Sequence, residues 1–315
     1  MKSILRALLC LLAAGFVARA DDAIPVKKVL FFSKSSNFVH DPVKTVMADG
    51  RRGYAFPVLE ALAKKDNIDM VFTKDGSIFT KEGLAPFDAI IFYTSGDLTK
   101  SKNDPKMSPG LFAGDGETPM PAGGKQALLD AIASGKGFVG IHSAADTFHT
   151  NGAYAHGPQR FVGDGDKADP YAKLLGGEFI QHGKQQVSHL EIADPTFPGV
   201  SSKPSDYQFM EEWYSLKNFA PDDHVILVTQ TAGMTGIEYA RPAYPSTWIH
   251  LYGKGRVFYT ALGHREDLWN NPVYQALLTG GFNWVLKRVE ADTTPNLATA
   301  APGAYTLPKY VEPTK

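Results

Sequence analysis

The stretch Lys136–Asp146 (KGFVGIHSAAD) constrains the fold more than any other part of the chain. A short, unbroken apolar run ends in Gly-Ile-His-Ser, followed by small residues and an aspartate. This is the pattern of a strand buried on both faces of a parallel sheet and stopped by a tight turn. In open α/β sheets ligands gather at the carboxyl ends of strands, so His142, Ser143 and Asp146 stand where chemistry is expected.

The segments before it repeat the pattern. Lys27–Ser33 (KKVLFFS) reads as a first buried strand, with a polar loop ending at His40 directly after it. Tyr54–Lys65 places Phe56, Leu59, Leu62 and Ala63 at helical spacing, and Pro57 fits only its first turn. Met70–Thr73 and Phe87–Tyr93 read as strands. Gly124–Ser134 reads as a helix with Leu128, Leu129 and Ile132 inward, ended by Gly135. Residues 100–122, rich in Lys, Pro, Gly and Asp, interrupt the alternation as a surface insertion. The alternation predicts an α/β three-layer sandwich around a mainly parallel, doubly wound sheet.

Beyond Asp146 the signals are more mixed. Tyr171–Leu175 predicts a short helix, and Gln185–Ile192 alternates as a strand with one exposed face carrying His189 and Glu191. His224–Thr229 is another buried strand. Ser246–Leu251 and Arg256–Thr260 flank a Tyr-Gly-Lys-Gly hairpin turn, and the second strand runs out to His264. Asn271–Leu286 is the last helix, and residues 289–315 read as an extended tail.

The first twenty residues have the form of a cleaved secretory signal: Lys2 and Arg6, an apolar Leu/Ala core, then Ala18-Arg19-Ala20. The expectation is a secreted or periplasmic protein, cut after Ala20, with no membrane anchor left after cleavage. The single cysteine, Cys10, lies inside this signal, so the mature chain has no disulfide, thiol nucleophile or thiolate ligand. Removing Lys2, Arg6 and Arg19 from the 32 basic residues leaves 29 against 33 acidic ones. With no basic patch or run, nucleic acid is excluded as an expected partner.

Five blocks then occur in order: His40; Gly140–Asp146; Leu175-Gly176-Gly177-Glu178-Phe179 with His182; Glu211-Glu212-Trp213-Tyr214; and Trp248 with Tyr252–Tyr259 and Leu262-Gly263-His264. Together they resemble the trehalose-utilisation (ThuA-like) family over about residues 27–288. The resemblance implies a fold related to class I glutamine amidotransferases and flavodoxin-like sandwiches, a link to sugar catabolism, and no nucleotide cofactor. Where the family often has Asp-Glu, this chain has Glu211-Glu212, so the family role passes to Glu212 alone. In an amidotransferase-like fold the strand-turn-helix elbow holds a nucleophilic cysteine. Here His142 takes that place, and glutamine hydrolysis through a thiol is excluded.

His40, His142 and His264 each follow a strand, and His182 follows a strand or loop end. Several imidazoles with one carboxylate form a metal-site donor set, so His40, His142, His182, His264 and Glu212 are the candidate ligands of a divalent ion, zinc first. The same set supports acid–base chemistry, with His142 or His264 accepting a proton and Glu212 or Asp146 orienting it. Ser143, Trp213, Tyr214 and Arg256 are candidate contacts to a sugar, the aromatics by stacking and Arg256, beside Lys254, by clamping an oxygen. Each has a plainer role: a turn serine, core aromatics, a solvated charge. The same plain role suits Trp248 and Tyr252. His149 and His156 read as solvated or substrate-contacting loop residues. Two functions compete: an exported enzyme acting on a disaccharide, glycoside or keto-sugar, and a non-catalytic sugar-binding or surface-complex module of the same fold. A glycosidase with paired carboxylates has less support, because only Glu212 has a strong positional claim.

Overall fold

Successive residues of the central strands point into two different cores, and this alternation defines the architecture. The computed structural model describes residues 24–101, 113–152 and 157–312. The signal-like leader, His156 and residues 102–112 of the 100–122 insertion lie outside the described residues. The strands are β1 (Lys27–Phe32), β2 (Ile68–Thr73), β3 (Ala89–Phe92), β4 (Gly137–Ile141), β5 (Glu178–His182), β6 (Gln186–Ile192), β7 (Gln208–Glu211), β8 (Tyr214–Lys217), β9 (His224–Thr229), β10 (Tyr244–Tyr252) and β11 (Gly255–Thr260). The helices are α1 (Ala55–Lys65), α2 (Lys81–Leu84), α3 (Gly124–Ala133), α4 (Pro170–Leu175), α5 (Glu266–Trp269), α6 (Pro272–Val285) and α7 (Leu297–Ala300).

Phe31, Ile91, Val139 and Phe258 face one core with Phe56 and Leu59 of α1 and Leu277, Leu278 and Phe282 of α6. Their neighbours Leu30, Phe32, Ile90, Phe92, Phe138 and Tyr259 face the other, with Leu128, Leu129 and Ile132 of α3 and Tyr171, Leu174 and Leu175 of α4. Helices therefore cover both faces of the sheet, which makes the expected three-layer α/β sandwich.

The large sheet has nine strands in the order β2-β1-β3-β4-β11-β10-β9-β6-β7. From β2 to β11 every pairing is parallel. From β11 through β10, β9, β6 and β7 every pairing is antiparallel. The switch falls at the expected hairpin, where Gly253 adopts φ +60° and packs against the Ala133 carbonyl. On β6, His189 and Glu191 lie on the exposed face, as the alternation requires. β5 and β8 form a separate two-stranded ribbon.

The described end of the insertion folds back into the body. Asp115 meets the buried Lys34 at 3.4 Å and the half-buried Lys74 at 3.3 Å, and Met120 is buried. The tail also stays with the domain: Leu297, Ala301 and Ala304 are buried against the α3/α4 side, and Arg241 donates to the Ala304 carbonyl at 2.5 Å.

Candidate functional site

β1, β4 and β11 run in the same direction in the parallel half, with β3 between β1 and β4, so the segments leaving their carboxyl ends converge on one edge. His40 arrives from the loop after β1, His142 directly from β4, and His264 from the loop after β11. Glu212 enters from the link between β7 and β8. One ligand atom from each of His40, His142, His264 and Glu212 lies within 4.8 Å of all the others. Sequence reasoning named all four.

The turn at His142 is a genuine elbow. Its φ is +45°, a left-handed backbone that costs a non-glycine residue on the order of 1 kcal/mol. Tyr259 Oη holds the turn by donating to the His142 carbonyl at 2.9 Å. The imidazole is fully buried, with Nδ1 2.8 Å from the Ala261 carbonyl. That contact requires the proton on Nδ1, so Nε2 presents its lone pair to the centre. Nε2 lies 3.4 Å from Glu212 Oε2 and 3.3 Å from His264 Nδ1, and His264 Nδ1 lies 3.0 Å from the same carboxylate oxygen. None of the contacts to Oε2 has good hydrogen-bond alignment, so this buried oxygen has no well-formed partner. His40 has its Nε2 3.2 Å from Tyr214 Oη, which leaves the buried Nδ1 without a partner. Ligand atoms gathered at a common centre, with the His142 and His40 rings steadied from behind by the Ala261 carbonyl and Tyr214 Oη, suit a coordinated cation.

The charge states agree with this. Burial, reinforced by the neighbouring imidazoles, pushes His40 well below its ordinary value, and burial also lowers His142, so both rings are neutral near pH 7. Burial would raise Glu212, but the close contacts of His142 and His264, with the charges of His142 and His182, outweigh it and hold the carboxyl far below the usual range. For His264, burial is outweighed by the contact and charge of Glu212, and its value rises.

Behind the centre sits Glu211, the residue left without a role by the sequence. It is fully buried, and burial pushes it up to about 7 even though two main-chain N–H groups donate to it. These come from Glu212 at 2.7 Å and Gly263 at 3.3 Å. Glu211 thus ties the segment that carries Glu212 to the residue preceding His264.

A cleft of about 540 Å³ opens beside the centre, lined by His40, Glu212, Tyr214, Phe179, His182 and Asp146 among others. His182 is outside the four-residue group. Its side chain is 42% exposed and its Nδ1 sits 3.4 Å from Glu212 Oε1, at the edge of the cleft. Tyr214 packs on the His142 ring with centroids 4.0 Å apart and on Phe179 at 4.2 Å. Ser143 is fully buried with an unpartnered Oγ, and is not among the residues lining the cleft.

Asp146 reaches the cleft wall, but its partners are His149 Nε2 at 2.5 Å and Asn37 Nδ2 at 3.4 Å; the His142 ring is oriented by the Ala261 carbonyl instead. His149 corrects an expectation. It is buried between Asp146 and Glu178, which lies 3.1 Å from its Nδ1, rather than solvated in a loop. Trp213 is core: its indole donates to the Gln186 carbonyl at 2.8 Å. Trp248 is also core, donating to the Leu175 carbonyl at 2.9 Å. Arg256 is the second residue of β11, at the opposite end of that strand from His264, where it binds the Trp284 and Val289 carbonyls and Glu290. Lys254 and Tyr252 belong to the hairpin at that same far end. No periodic signal in the sequence marks other cleft residues such as Asn37, Phe38, Arg160, Phe161, Gln181 and Tyr310.

An α/β sandwich with a buried His/Glu cluster at the carboxyl edge of its parallel strands defines the class of protein. The chain belongs to the ThuA family, described as trehalose utilisation, which matches residues 28–285. Its fold is similar to that of a ThuA-like protein from Bacteroides uniformis ATCC 8492, with 19% identity, 86% of this chain and 95% of that one covered, and a TM-score of 0.56. A ThuA-like protein from Parabacteroides merdae ATCC 43184 is similar at 18% identity, with 91% and 98% covered and a TM-score of 0.52. No curated protein matches the chain.

Proposed function

We propose that this ThuA-family chain is an exported enzyme of carbohydrate catabolism that acts on a disaccharide, glycoside or keto-sugar at its His/Glu centre. The observation that carries the reading is the meeting of His40, His142, His264 and Glu212, with ligand atoms within 4.8 Å, beside a cleft of sugar size. Three imidazoles and one carboxylate would hold a divalent cation, and the nitrogen-rich set suits zinc. A bound ion of this kind supplies Lewis-acid polarisation of a substrate oxygen.

The chain's own groups do the rest. His142 is locked in one tautomer by the Ala261 carbonyl and keeps its Nε2 lone pair on the centre. Glu212 stays ionised, too weak a base to take a sugar proton itself, and orients the His142 and His264 rings that can. Without an ion in the centre, Glu212 holds a proton on His264 Nδ1 that this ring can deliver; with an ion bound, the same nitrogen would serve as a ligand instead. Tyr214 and Phe179 exclude water from one side of the centre and offer apolar faces to a ring. The leader-like first twenty residues support action outside the cytoplasm.

The test begins with protein purified without chelator. Elemental analysis should find about one divalent ion per chain, lost in His142→Ala and in Glu212→Gln. A screen of disaccharides and their keto forms should then show turnover that both variants lose while keeping the fold. A metal-free wild type, together with unchanged behaviour of His40, His142 and His264 variants, would sink the proposal.

A further inference from the structure

The family match ends at residue 285, yet the cleft does not. Tyr310 lines it, twenty-five residues further on. The segment carrying Tyr310 is fastened in stages. Leu297, Ala301 and Ala304 are buried in the core on the α3/α4 side. Arg241 donates to the Ala304 carbonyl, and Tyr305 Oη reaches the Phe219 carbonyl at 3.4 Å. Pro308 is buried as well. Tyr310 itself is only partly buried, and its ring meets Phe161 with centroids 5.4 Å apart at 59°. Phe161 also lines the cleft.

The polar groups of the cleft have a definite character. Asp146 and Glu212 are carboxylates, and Asn37 is buried with its Oδ1 unpartnered while its Nδ2 faces Asp146. The lining cation, Arg160, is already engaged by His149 and the Phe179 carbonyl. A wall of hydrogen-bond acceptors beside aromatic faces suits a ligand that brings hydroxyl donors and an apolar ring face. Outside the four-residue centre, where Glu212 would be taken up by a cation, the Asn37 and Asp146 side disfavours a phosphate or carboxylate on the ligand.

We propose that the C-terminal segment beyond the family domain completes this cleft as its specificity wall: Tyr310 with Phe161 forms the aromatic platform, and Asn37 with Asp146 the acceptor side, for a neutral polyhydroxylated ring. The inference rests on the sugar reading above and adds to it the charge class of the substrate and the residues that select it. Because Tyr310 lies outside the matched region, selectivity is set by a part of the chain that the family domain does not specify.

Isothermal titration of the full-length protein with trehalose, maltose and sucrose tests it, with trehalose 6-phosphate as the charged comparison. Tyr310→Ala should bind the best neutral disaccharide roughly tenfold more weakly, the size expected for loss of one aromatic face. Tyr310→Phe should stay within about twofold, because the ring face and not the hydroxyl is used. Phe161→Leu, which keeps the buried volume, should fall with Tyr310→Ala, and the phosphorylated sugar should bind wild type at least about tenfold more weakly than trehalose. Unchanged affinity in Tyr310→Ala, equal or tighter binding of the phosphate, or no binding of any neutral disaccharide to wild type overturns the proposal. Metal content is measured on the same samples. Loss of affinity in a metal-free protein would overturn the cation centre but support the wall, and unchanged affinity with metal in place would overturn the wall alone.

Discussion

Replacing Glu178 with glutamine removes one charge from the most heavily bonded carboxylate beside the cleft. Glu178 is buried at the start of β5. Its Oε1 accepts from the Thr150 N–H at 3.1 Å and lies 3.1 Å from His149 Nδ1. Its Oε2 accepts from Thr150 Oγ1 at 2.5 Å and from Asn218 Nδ2 at 2.8 Å, and Lys217 Nζ stands 4.0 Å from Oε1. Burial opposes ionisation, but the contact and charge of His149, the Lys217 charge and the Thr150 hydroxyl prevail and pull the carboxyl down to about 2. At about 1.4 kcal/mol per pH unit, the difference from an ordinary glutamate corresponds to about 3 kcal/mol of stability. Glutamine also turns an N–H toward groups that themselves donate, so nothing offsets the loss. Because the folded value is depressed, this contribution is complete above the unfolded glutamate value, near pH 4.5, and drains away as the pH falls toward 2. Urea unfolding followed by tryptophan fluorescence at pH 7, 5, 4 and 3 should show a gap between wild type and Glu178→Gln of about 3 kcal/mol at pH 7 and 5, shrinking below pH 4. A gap that is constant from pH 7 to 3, or one below about 0.5 kcal/mol at pH 7, would refute the reasoning.

Two further substitutions separate the site from its surroundings. Glu211→Ala should leave the fold measurable by circular dichroism but weaken divalent-ion retention, read by competition with a chelating dye, by about 10- to 100-fold, as for other supporting residues behind a ligand. Arg256→Ala should leave disaccharide affinity and metal content at wild-type levels while lowering stability to urea by about 1–2 kcal/mol through the lost Trp284 and Val289 carbonyl contacts.

The parts of the site that were legible in the sequence were those whose position follows from strand direction. His40, His142 and His264 each stand just past a run of buried apolar residues, and parallel strands bring such ends together. The same rule places Arg256 away from the site. It is the second residue of β11, and four strand residues at about 3.3 Å each separate it from the end that leads to His264. The β7–β8 link was harder, because the chain leaves the large sheet for the ribbon between Glu211 and Tyr214. All four residues from Glu211 to Tyr214 are buried, so no alternation announces that Tyr214 rather than Trp213 meets the cleft. The buried chain Asp146–His149–Glu178 was illegible for a different reason. Its members come from a turn, a loop and a strand start, and only tertiary packing joins them. Tyr310 belongs to a Pro- and Thr-rich stretch whose docking depends on small buried alanines, which leave no periodic trace.

The place of β11 in the sheet also orders the assembly of the molecule in time. It lies between β4 and β10, joining the parallel half to the antiparallel half, although it is the last strand in the chain. The parallel half made earlier therefore has an open central edge until residues 255–260 are available, and the two halves cannot share a core before then. Pairings of such long sequence separation form late and slowly. A chain stopped anywhere before β11 lacks the seam of its sheet and, with it, the third imidazole of the cluster, so the four-residue centre forms only once the whole sheet is present.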